Sequence, residues 1–163
     1  MRIRPATLDD IPAVVAIYNA TVPGRMVTAD LEPTTVETRR LWLTNRDENH
    51  PVWVMDDGGE VAAWLSFEVW HSRAAYWQTA EVSVYVSEGY RRQNTARTML
   101  EAAIAEAPDL GFKTLVAGIF GHNTPSLRLF ESFGFEKWAH YPNVAELDGV
   151  ERDYVAMGLR VVP

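Results

Sequence analysis

Residues 81–100, EVSVYVSEGYRRQNTARTML, pass from a strand pattern to a helix pattern across one short turn. The run EVSVYV alternates polar with apolar side chains, which is typical of a strand whose two faces differ. From Ala96 onward, apolar residues recur at the spacing of one helix face. Arg91 and Arg92 stand in the turn, where backbone N–H groups at a helix start favour an anion. The stretch therefore predicts a strand–turn–helix unit. Since residues 90–100 contain no glycine, its turn is a phosphate site, an altered form of one, or an ordinary turn.

The segments on either side of this unit show further helix and strand patterns. Helices are expected at 6–22, 34–46, 96–107 and 123–133, and strands at 51–57, 60–71, 79–87, 114–120, 136–144 and 151–161. The first two of these strands are joined at Asp57-Gly58-Gly59, a hairpin signal. The short apolar run 114–120 is typical of a buried parallel strand. The order ααβββαβαββ predicts one α/β domain over residues 1–163 (α+β in some schemes), with a mixed central sheet flanked by helices.

Composition excludes several classes of protein. The 163 residues are 47% hydrophobic and 23% charged, which is typical of a globular chain. A net charge of −7 argues against a nucleic-acid partner. No apolar run is long enough to span a bilayer, so no membrane partner is expected, and the first residues lack the apolar core of a signal peptide. There is no cysteine, and the four histidines lie apart without zinc-site spacing. We therefore expect a cytoplasmic protein without a metal.

Four segments carry a family resemblance that covers almost the whole chain. They are RIRPATLDDIPAVVAIYN (2–19), LEPTT (31–35), RAAYWQTAEVSVYVSEGYR (73–91) and GHNTPSLRLFESFGFE (121–136). The last has the pattern N-x-x-S-x-x-L-x-x-x-x-G-F, and the last two are specific in combination. Together they resemble the GCN5-related N-acetyltransferases (GNAT), and within them the phosphinothricin-acetyltransferase-like branch.

The resemblance implies that acetyl-CoA is the cofactor and that its pyrophosphate lies in the opening turn. The family's loop has the pattern Gln/Arg-x-x-Gly-x-Gly/Ala. The residues that this pattern places at the pyrophosphate are Arg91, Arg92, Gln93, Asn94, Thr95 and Ala96. Asn94 replaces the first glycine, and asparagine tolerates a left-handed backbone better than most side chains. We expect an altered but usable loop with weakened cofactor affinity. An ordinary turn with two solvated arginines is the alternative.

Glu81 is the candidate general base. Alternation places Glu81, Ser83 and Tyr85 on one face of the strand. A partly buried carboxylate there has a raised pKa suited to accepting a proton, directly or through water. The alternative is a glutamate at a solvated sheet end. By resemblance, this strand splays from its neighbour, which leaves the backbone of Val84, Tyr85 and Val86 free to bond the pantetheine arm and polarise the thioester carbonyl.

The last helix is expected to contribute to the same site, with one departure from the family. The resemblance places Asn123 and Ser126 at the pantetheine, and a helix-cap role for Asn123 is compatible with this. Phe130 stands where many relatives have a tyrosine that protonates the departing thiolate and where this branch often has histidine. The branch's later histidine is replaced by Asp148 or a neighbour. Tyr141, Asp148 or water are the alternatives for the proton, and the acid is left unassigned.

Residues of two irregular segments fall where the branch shapes its acceptor pocket. They are Arg25, Glu32, Arg73 and Tyr76, with Trp77 beside them. An arginine there suits a carboxylate or phosphinate on a small amino-acid-like acceptor, and surface ion pairing is the alternative for both arginines. The expected function is acetyl transfer to a primary amine of such an acceptor, by a homodimer. Two alternatives remain: a protein or peptide acceptor, and a non-catalytic ligand-binding module with a degenerate cofactor loop.

Overall fold

The computed structural model describes residues 1–162, in which seven strands form one mixed sheet. Its helices are α1 (Ile11–Asn19), α2 (Val36–Thr44), α3 (Thr95–Glu106) and α4 (Thr124–Glu131). Its strands are β1 (Arg2–Pro5), β2 (Val52–Asp57), β3 (Glu60–Val69), β4 (Thr79–Val86), β5 (Thr114–Phe120), β6 (Glu136–Leu147) and β7 (Val150–Arg160). They lie in the order β1-β2-β3-β4-β5-β7-β6. The expected α/β fold with a mixed sheet flanked by helices is confirmed.

The sequence does not predict β1, which is a short edge strand. Its four residues, RIRP, include a proline and two arginines, so no apolar run indicates a strand. Pairing with β2 and ion pairs from Arg4 to Asp10 at 2.8 Å and to Asp56 at 2.9 Å hold it in place. Strand β2 and Asp56 are about 50 positions away in sequence, which is why local pattern misses the strand.

The first helix is shorter than expected. A 3₁₀ turn, Leu8–Asp10, precedes α1, so the α-helix begins at Ile11 rather than near residue 6. It ends at Asn19, and the Thr21 hydroxyl donates to the Tyr18 carbonyl at 2.7 Å. Such a side-chain hydrogen bond competes with the helical backbone pattern. The remaining helices and strands lie within a few residues of their expected positions.

Helices cover both faces of the sheet. On one face, α1 packs Val14 and Ile17 against a cluster that includes Trp64 of β3. On the other face, α3 packs Met99 and Leu100 against a larger apolar cluster from the central strands and α4. The alternation of β4 between these two environments follows from its sequence, because Val82 is buried among apolar residues while Glu81 and Ser83 face the other way.

β4 and β5 diverge after a short paired region. They pair in parallel only at Thr79 with Thr114, Ala80 with Leu115 and Glu81 with Val116. β4 continues along β3 as far as Val86. The edge of β4 beyond Glu81 therefore faces a V-shaped cleft, hereafter the strand cleft. This confirms the expected divergence of the strand that carries Glu81.

No helix within residues 1–162 is long and apolar enough to cross a membrane.

Candidate active site

The turn before α3 keeps a left-handed backbone without glycine. Arg92 and Asn94 both have φ 60°, a conformation that glycine adopts most easily. Asn94 is the N-cap of α3, and the Thr95 hydroxyl fixes the turn by donating to the Tyr90 carbonyl at 2.8 Å. Gln93 donates from its side chain to the Gly89 carbonyl at 2.8 Å. The asparagine therefore takes the backbone shape expected of the glycine that it replaces.

A cavity of about 340 Å³ lies against this turn. Its walls include five of the six residues expected at the pyrophosphate, namely Arg91, Arg92, Asn94, Thr95 and Ala96. Gln93 does not line it, since its side chain bonds back to Gly89. Tyr90, Arg97 and Leu129 also contribute, and the sequence did not mark them. The turn thus offers backbone N–H groups and arginines to one cavity at the start of a helix.

The strand cleft adjoins this cavity. Val82–Tyr85 form one wall and Ala117–Ile119 the other, while Asn123, Ser126 and Phe130 close it from the α4 side. The side-chain Oδ1 of Asn123 accepts from the backbone N–H of Ser126 at 3.2 Å, which confirms its helix-cap role. Its amide nitrogen donates to the Met26 carbonyl at 3.0 Å, so Asn123 also holds the segment that covers the cleft.

Glu81 lies in a second cavity, of about 200 Å³, on the α1 side of the strand cleft. We name it the acceptor cavity. Its lining is Val27, Thr28, Ala29, Glu81, Ser83, Tyr85, Gly118, Phe120 and Tyr154. Burial raises the pKa of Glu81 above its ordinary value, and the negative charge of Glu68, opposite it on β3, raises this pKa further. A carboxylate with a raised pKa is a stronger base, which suits it to taking a proton from the substrate.

Tyr154 and Gly118 are functional candidates that sequence reasoning missed. An ideal Cβ on Gly118 would lie 2.3 Å from the Tyr154 hydroxyl oxygen, so this glycine makes room for the ring. Burial raises the pKa of Tyr154, and the nearby charge of Glu81 adds to the shift. The alternation of β7 was visible in the sequence. Only the pairing of β7 with β5 brings Tyr154 to Gly118, so no local pattern could identify it.

A segment formed by residues 22–31, which we call the strap, roofs the acceptor cavity. Three contacts tie it to the end of the sheet. Arg25 forms an ion pair with Asp148 at 2.8 Å, His122 Nε2 contacts the Arg25 carbonyl at 2.8 Å, and Asn123 holds the next carbonyl. They place Val27 over both the cleft and the cavity.

The residues expected at the acceptor are not gathered around Glu81. The Arg25 guanidinium donates to Asp148 and to strap carbonyls, including that of Leu31 at 3.0 Å. Glu32 is exposed. Arg73, Tyr76 and Trp77 line a separate cavity of about 310 Å³, together with Thr79. Thr79 and Glu81 point to the same side of β4, so this cavity lies further along the same face.

Metal-binding side chains do not gather anywhere in the described part of the chain. Within residues 1–162, no group of three or more His, Cys, Asp or Glu side chains is placed to hold an ion. His50 pairs with Asp47 at 2.8 Å and His140 with Asp153 at 2.7 Å.

A split parallel strand pair, an anion-binding helix start and a partly buried carboxylate beside the split define an acyltransferase that uses an acyl-CoA. The chain belongs to the acetyltransferase (GNAT) family, whose family model matches residues 14–135. The cofactor of this family is acetyl-CoA.

Relatives from several bacteria support the assignment. YwnH of Bacillus subtilis (strain 168), itself provisionally named a phosphinothricin acetyltransferase, is 48% identical over 97% of this chain and 98% of its own length. The L-amino acid N-acyltransferase MnaT of Escherichia coli (strain K12) is 33% identical, over 99% of this chain and 94% of its own. A structure of yncA from Salmonella typhimurium, solved with its cofactor acetyl-CoA, is 32% identical with a TM-score of 0.94, covering 100% of this chain and 95% of that one. The phosphinothricin-acetyltransferase-like resemblance is confirmed.

Proposed function

We propose that this N-acetyltransferase moves the acetyl group of acetyl-CoA to the primary amine of a small acceptor that resembles an amino acid. The observation that carries the proposal is the position of Glu81, in a roofed cavity beside the strand cleft. Relatives support the acceptor class. MnaT is named for L-amino acids, and a Pseudomonas aeruginosa relative, 31% identical, is named for L-methionine sulfoximine and L-methionine sulfone.

The residues that are present fit acetyl-CoA. The left-handed turn at Arg92 and Asn94 opens a cavity at the start of α3, where a pyrophosphate meets backbone N–H groups and the positive end of the helix. Arg91 lines the same cavity and adds a charge. The cofactor loop is therefore altered in sequence and competent in shape, which argues against a non-catalytic module.

Two parts of β4 divide the chemistry. When bound, acetyl-CoA supplies a thioester for attack by the amine. The β4 edge from Val84 to Val86, which forms no ladder with β5, offers backbone groups to the pantetheine and to the thioester carbonyl. The Glu81 carboxylate accepts the proton of the attacking amine, directly or through water. Asn123 and Ser126 border the cleft from α4 and hold the arm on its other side.

The roof over the acceptor cavity favours a small acceptor. At about 200 Å³, the cavity suits an amino-acid side chain, and the strap closes it on the α1 side. Arg73 and Tyr76 stand further along the same face, where a carboxylate or phosphinate of the acceptor could reach Arg73. Arg25 acts through the strap in this arrangement.

A peptide acceptor is the second candidate. One solved neighbour, a ribosomal-protein-alanine N-acetyltransferase from Brucella melitensis, is 32% identical with a TM-score of 0.93, covering 98% of this chain and 99% of that one. A peptide would have to thread beneath the strap, whereas a free amino acid would not. The two functions therefore predict different substrate panels.

The test is a coupled thiol-release assay on a matched panel. L-phosphinothricin, L-methionine sulfoximine, L-methionine sulfone and free L-amino acids are compared with tripeptides that begin with the same residues. We expect turnover with at least one free acceptor and little with its tripeptide. Glu81→Gln should lower kcat by about 10²-fold and keep acetyl-CoA affinity by calorimetry. Faster turnover of the tripeptides would mean that the acceptor is a peptide.

We also infer that the chain is a single domain, acts in the cytoplasm and forms a homodimer. All seven strands described within residues 1–162 belong to one sheet, and the absence of cysteine suits a reducing compartment. Exposed apolar side chains on the β6–β7 hairpin support an interface, namely Trp138, Tyr141, Val144 and Val150. Light scattering of the purified protein tests the dimer.

A further inference from the structure

The departing sulfur needs a proton that α4 does not supply. Phe130 borders the strand cleft, is 2% exposed and packs edge-on against Phe135 at 4.9 Å between ring centroids. Its side chain has no proton to give. The donor must therefore come from another wall of the cleft or of the acceptor cavity.

Tyr154 has the geometry of such a donor. Its ring reaches across β5 at Gly118, and Gly118 lines both the strand cleft and the acceptor cavity. The hydroxyl oxygen would lie 2.3 Å from a Cβ at that position, so it sits at the partition between the two spaces. Glu81 lines the same cavity. A hydroxyl placed there can reach the reacting centre from the side opposite α4.

We propose that Tyr154 donates the proton to the departing sulfur of CoA, working together with Glu81 as the base. The acceptor nitrogen forms the C–N bond while the C–S bond breaks, and the nitrogen gives one proton to the Glu81 carboxylate. Tyr154 gives its hydroxyl proton to the sulfur. Glu81 then returns a proton to the tyrosinate through the cavity that both line, so both side chains regain their starting states.

Burial keeps the Tyr154 hydroxyl protonated. The pKa of Tyr154 is raised, first by burial and then by the charges of Glu81 and Tyr141, so the hydroxyl is protonated at neutral pH. The same neighbours make the tyrosinate short-lived, which favours its reprotonation by Glu81.

Other candidate donors are less well placed. Tyr141 is 50% exposed on β6 and does not line the acceptor cavity, although its ring centroid is 5.9 Å from that of Tyr154. Asp148 is ionised by its pairing with Arg25, which lowers its pKa. Tyr85 lines both the strand cleft and the acceptor cavity, but its ring is stacked on Trp64 at 4.2 Å and packs against Tyr18, which holds it in the aromatic layer beneath α1. Of these two phenols, Tyr154 is the one whose hydroxyl lies against Gly118 of β5.

The test compares Tyr154→Phe with Thr44→Ala as the control. The control removes an exposed hydroxyl at the end of α2, which bonds only carbonyls of its own helix, and should leave turnover unchanged. We expect Tyr154→Phe to lower kcat by about 10²-fold, with acetyl-CoA affinity and the KM of the acceptor nearly unchanged. An unchanged kcat, or a change confined to the KM of the acceptor, would overturn the assignment.

A second readout needs neither an acceptor nor turnover. A hydroxyl that donates to the sulfur stabilises the thiolate, so it lowers the pKa of the thiol of bound CoA. Ultraviolet absorbance of the thiolate, followed against pH with saturating CoA, should show ionisation at higher pH in Tyr154→Phe than in the parent and in Thr44→Ala. Identical ionisation curves would contradict the proposal. The inference rests on the acetyl transfer proposed above, and this readout separates its failure from a wrong choice of acceptor.

Discussion

Arg25 and Asp148 lie 123 positions apart in sequence and meet in a two-point ion pair, with Nε–Oδ2 at 2.8 Å and Nη2–Oδ1 at 3.1 Å. Both residues have a left-handed backbone, with φ of 52° and 54°. The pair joins the strap to the β6–β7 turn. An arginine that the sequence marks as a candidate substrate ligand is thus bonded to the protein itself, where it ties the strap to the β6–β7 turn.

Breaking this pair should loosen the roof of the acceptor cavity. We expect Asp148→Asn to raise the KM of the acceptor by about two- to fivefold, the range of an exposed ion pair, with kcat and acetyl-CoA affinity nearly unchanged. Glu151→Gln, an exposed charge on β7, is the matched control and should change neither constant. Steady-state kinetics with both substrates varied decides this. A fall in kcat with no change in KM would show that the strap takes no part in acceptor binding.

The activity of the enzyme should follow the raised pKa of Glu81. Because burial and then the charge of Glu68 favour the protonated acid, kcat/KM should rise with pH through a value above the ordinary glutamate pKa. Glu68→Gln removes the repelling charge, so the acid limb of the profile should move to lower pH. A limb that stays in place in this variant would mean that Glu68 does not govern the titration.

The same shift has a consequence for stability. A carboxyl with a raised pKa in the folded state binds its proton more tightly there than in the unfolded chain. Its stabilising contribution is full below the unfolded pKa and is lost as pH rises through the folded one. As pH rises from the unfolded to the folded pKa, the free energy of unfolding of the parent should therefore fall more than that of Glu81→Gln. Urea titrations across that range measure the difference, and parallel pH curves for the two proteins would contradict it.

Asp10 should show the opposite pH dependence. The hydrogen bond from Arg4 lowers the pKa of Asp10 to about 2, against the effect of burial. A depressed pKa contributes stability above the unfolded value that is lost as pH falls toward about 2. We expect Asp10→Asn to lower the free energy of unfolding by about 2 kcal/mol at neutral pH, and by much less near the folded pKa. The exposed neighbour change Asp9→Asn is the control and should have little effect at either pH.

The affinity for acetyl-CoA should depend on the backbone conformation at Asn94. Glycine adopts φ 60° without strain, whereas alanine does not. We therefore expect Asn94→Gly to hold acetyl-CoA as tightly as the parent or a fewfold more tightly, and Asn94→Ala to lower both affinity and stability by about 1 kcal/mol. Calorimetry and thermal melts measure the two effects. Equal affinity of the glycine and alanine variants would mean that the left-handed turn does not shape the pyrophosphate site.

A methyl group at position 118 should act on Tyr154. An alanine Cβ there would overlap the Tyr154 hydroxyl and ring, so the ring must move away from the partition. We expect Gly118→Ala to lower kcat by about as much as Tyr154→Phe, that is about 10²-fold. Gly89→Ala is the matched control, because no atom lies within 4 Å of a Cβ built at that glycine. Full activity of Gly118→Ala would show that Tyr154 is not needed at this position.

Much of this protein follows from local pattern. Alternation in EVSVYV separates Glu81 from the buried face, helical spacing marks α3 and α4, and the motif from Asn123 to Phe135 supports the family. These features depend on residues a few positions apart. The prediction that Asn94 substitutes for glycine belongs here too, because backbone tolerance is a property of the residue itself.

Tertiary structure decided what crosses between elements. The strand β1, the pairing of Arg25 with Asp148, and the meeting of Tyr154 with Gly118 each join residues far apart in sequence. Register places a side chain on one strand beside a chosen residue of another, and a slip of one residue would turn it to the opposite face. The sequence by itself therefore determined the family, and it marked Glu81 as the candidate base and the turn before α3 as the candidate phosphate site. Tertiary packing decided the roof of the acceptor cavity and the position of Tyr154 beside Gly118. The contacts that hold them join residues far apart in sequence, which no local pattern contains.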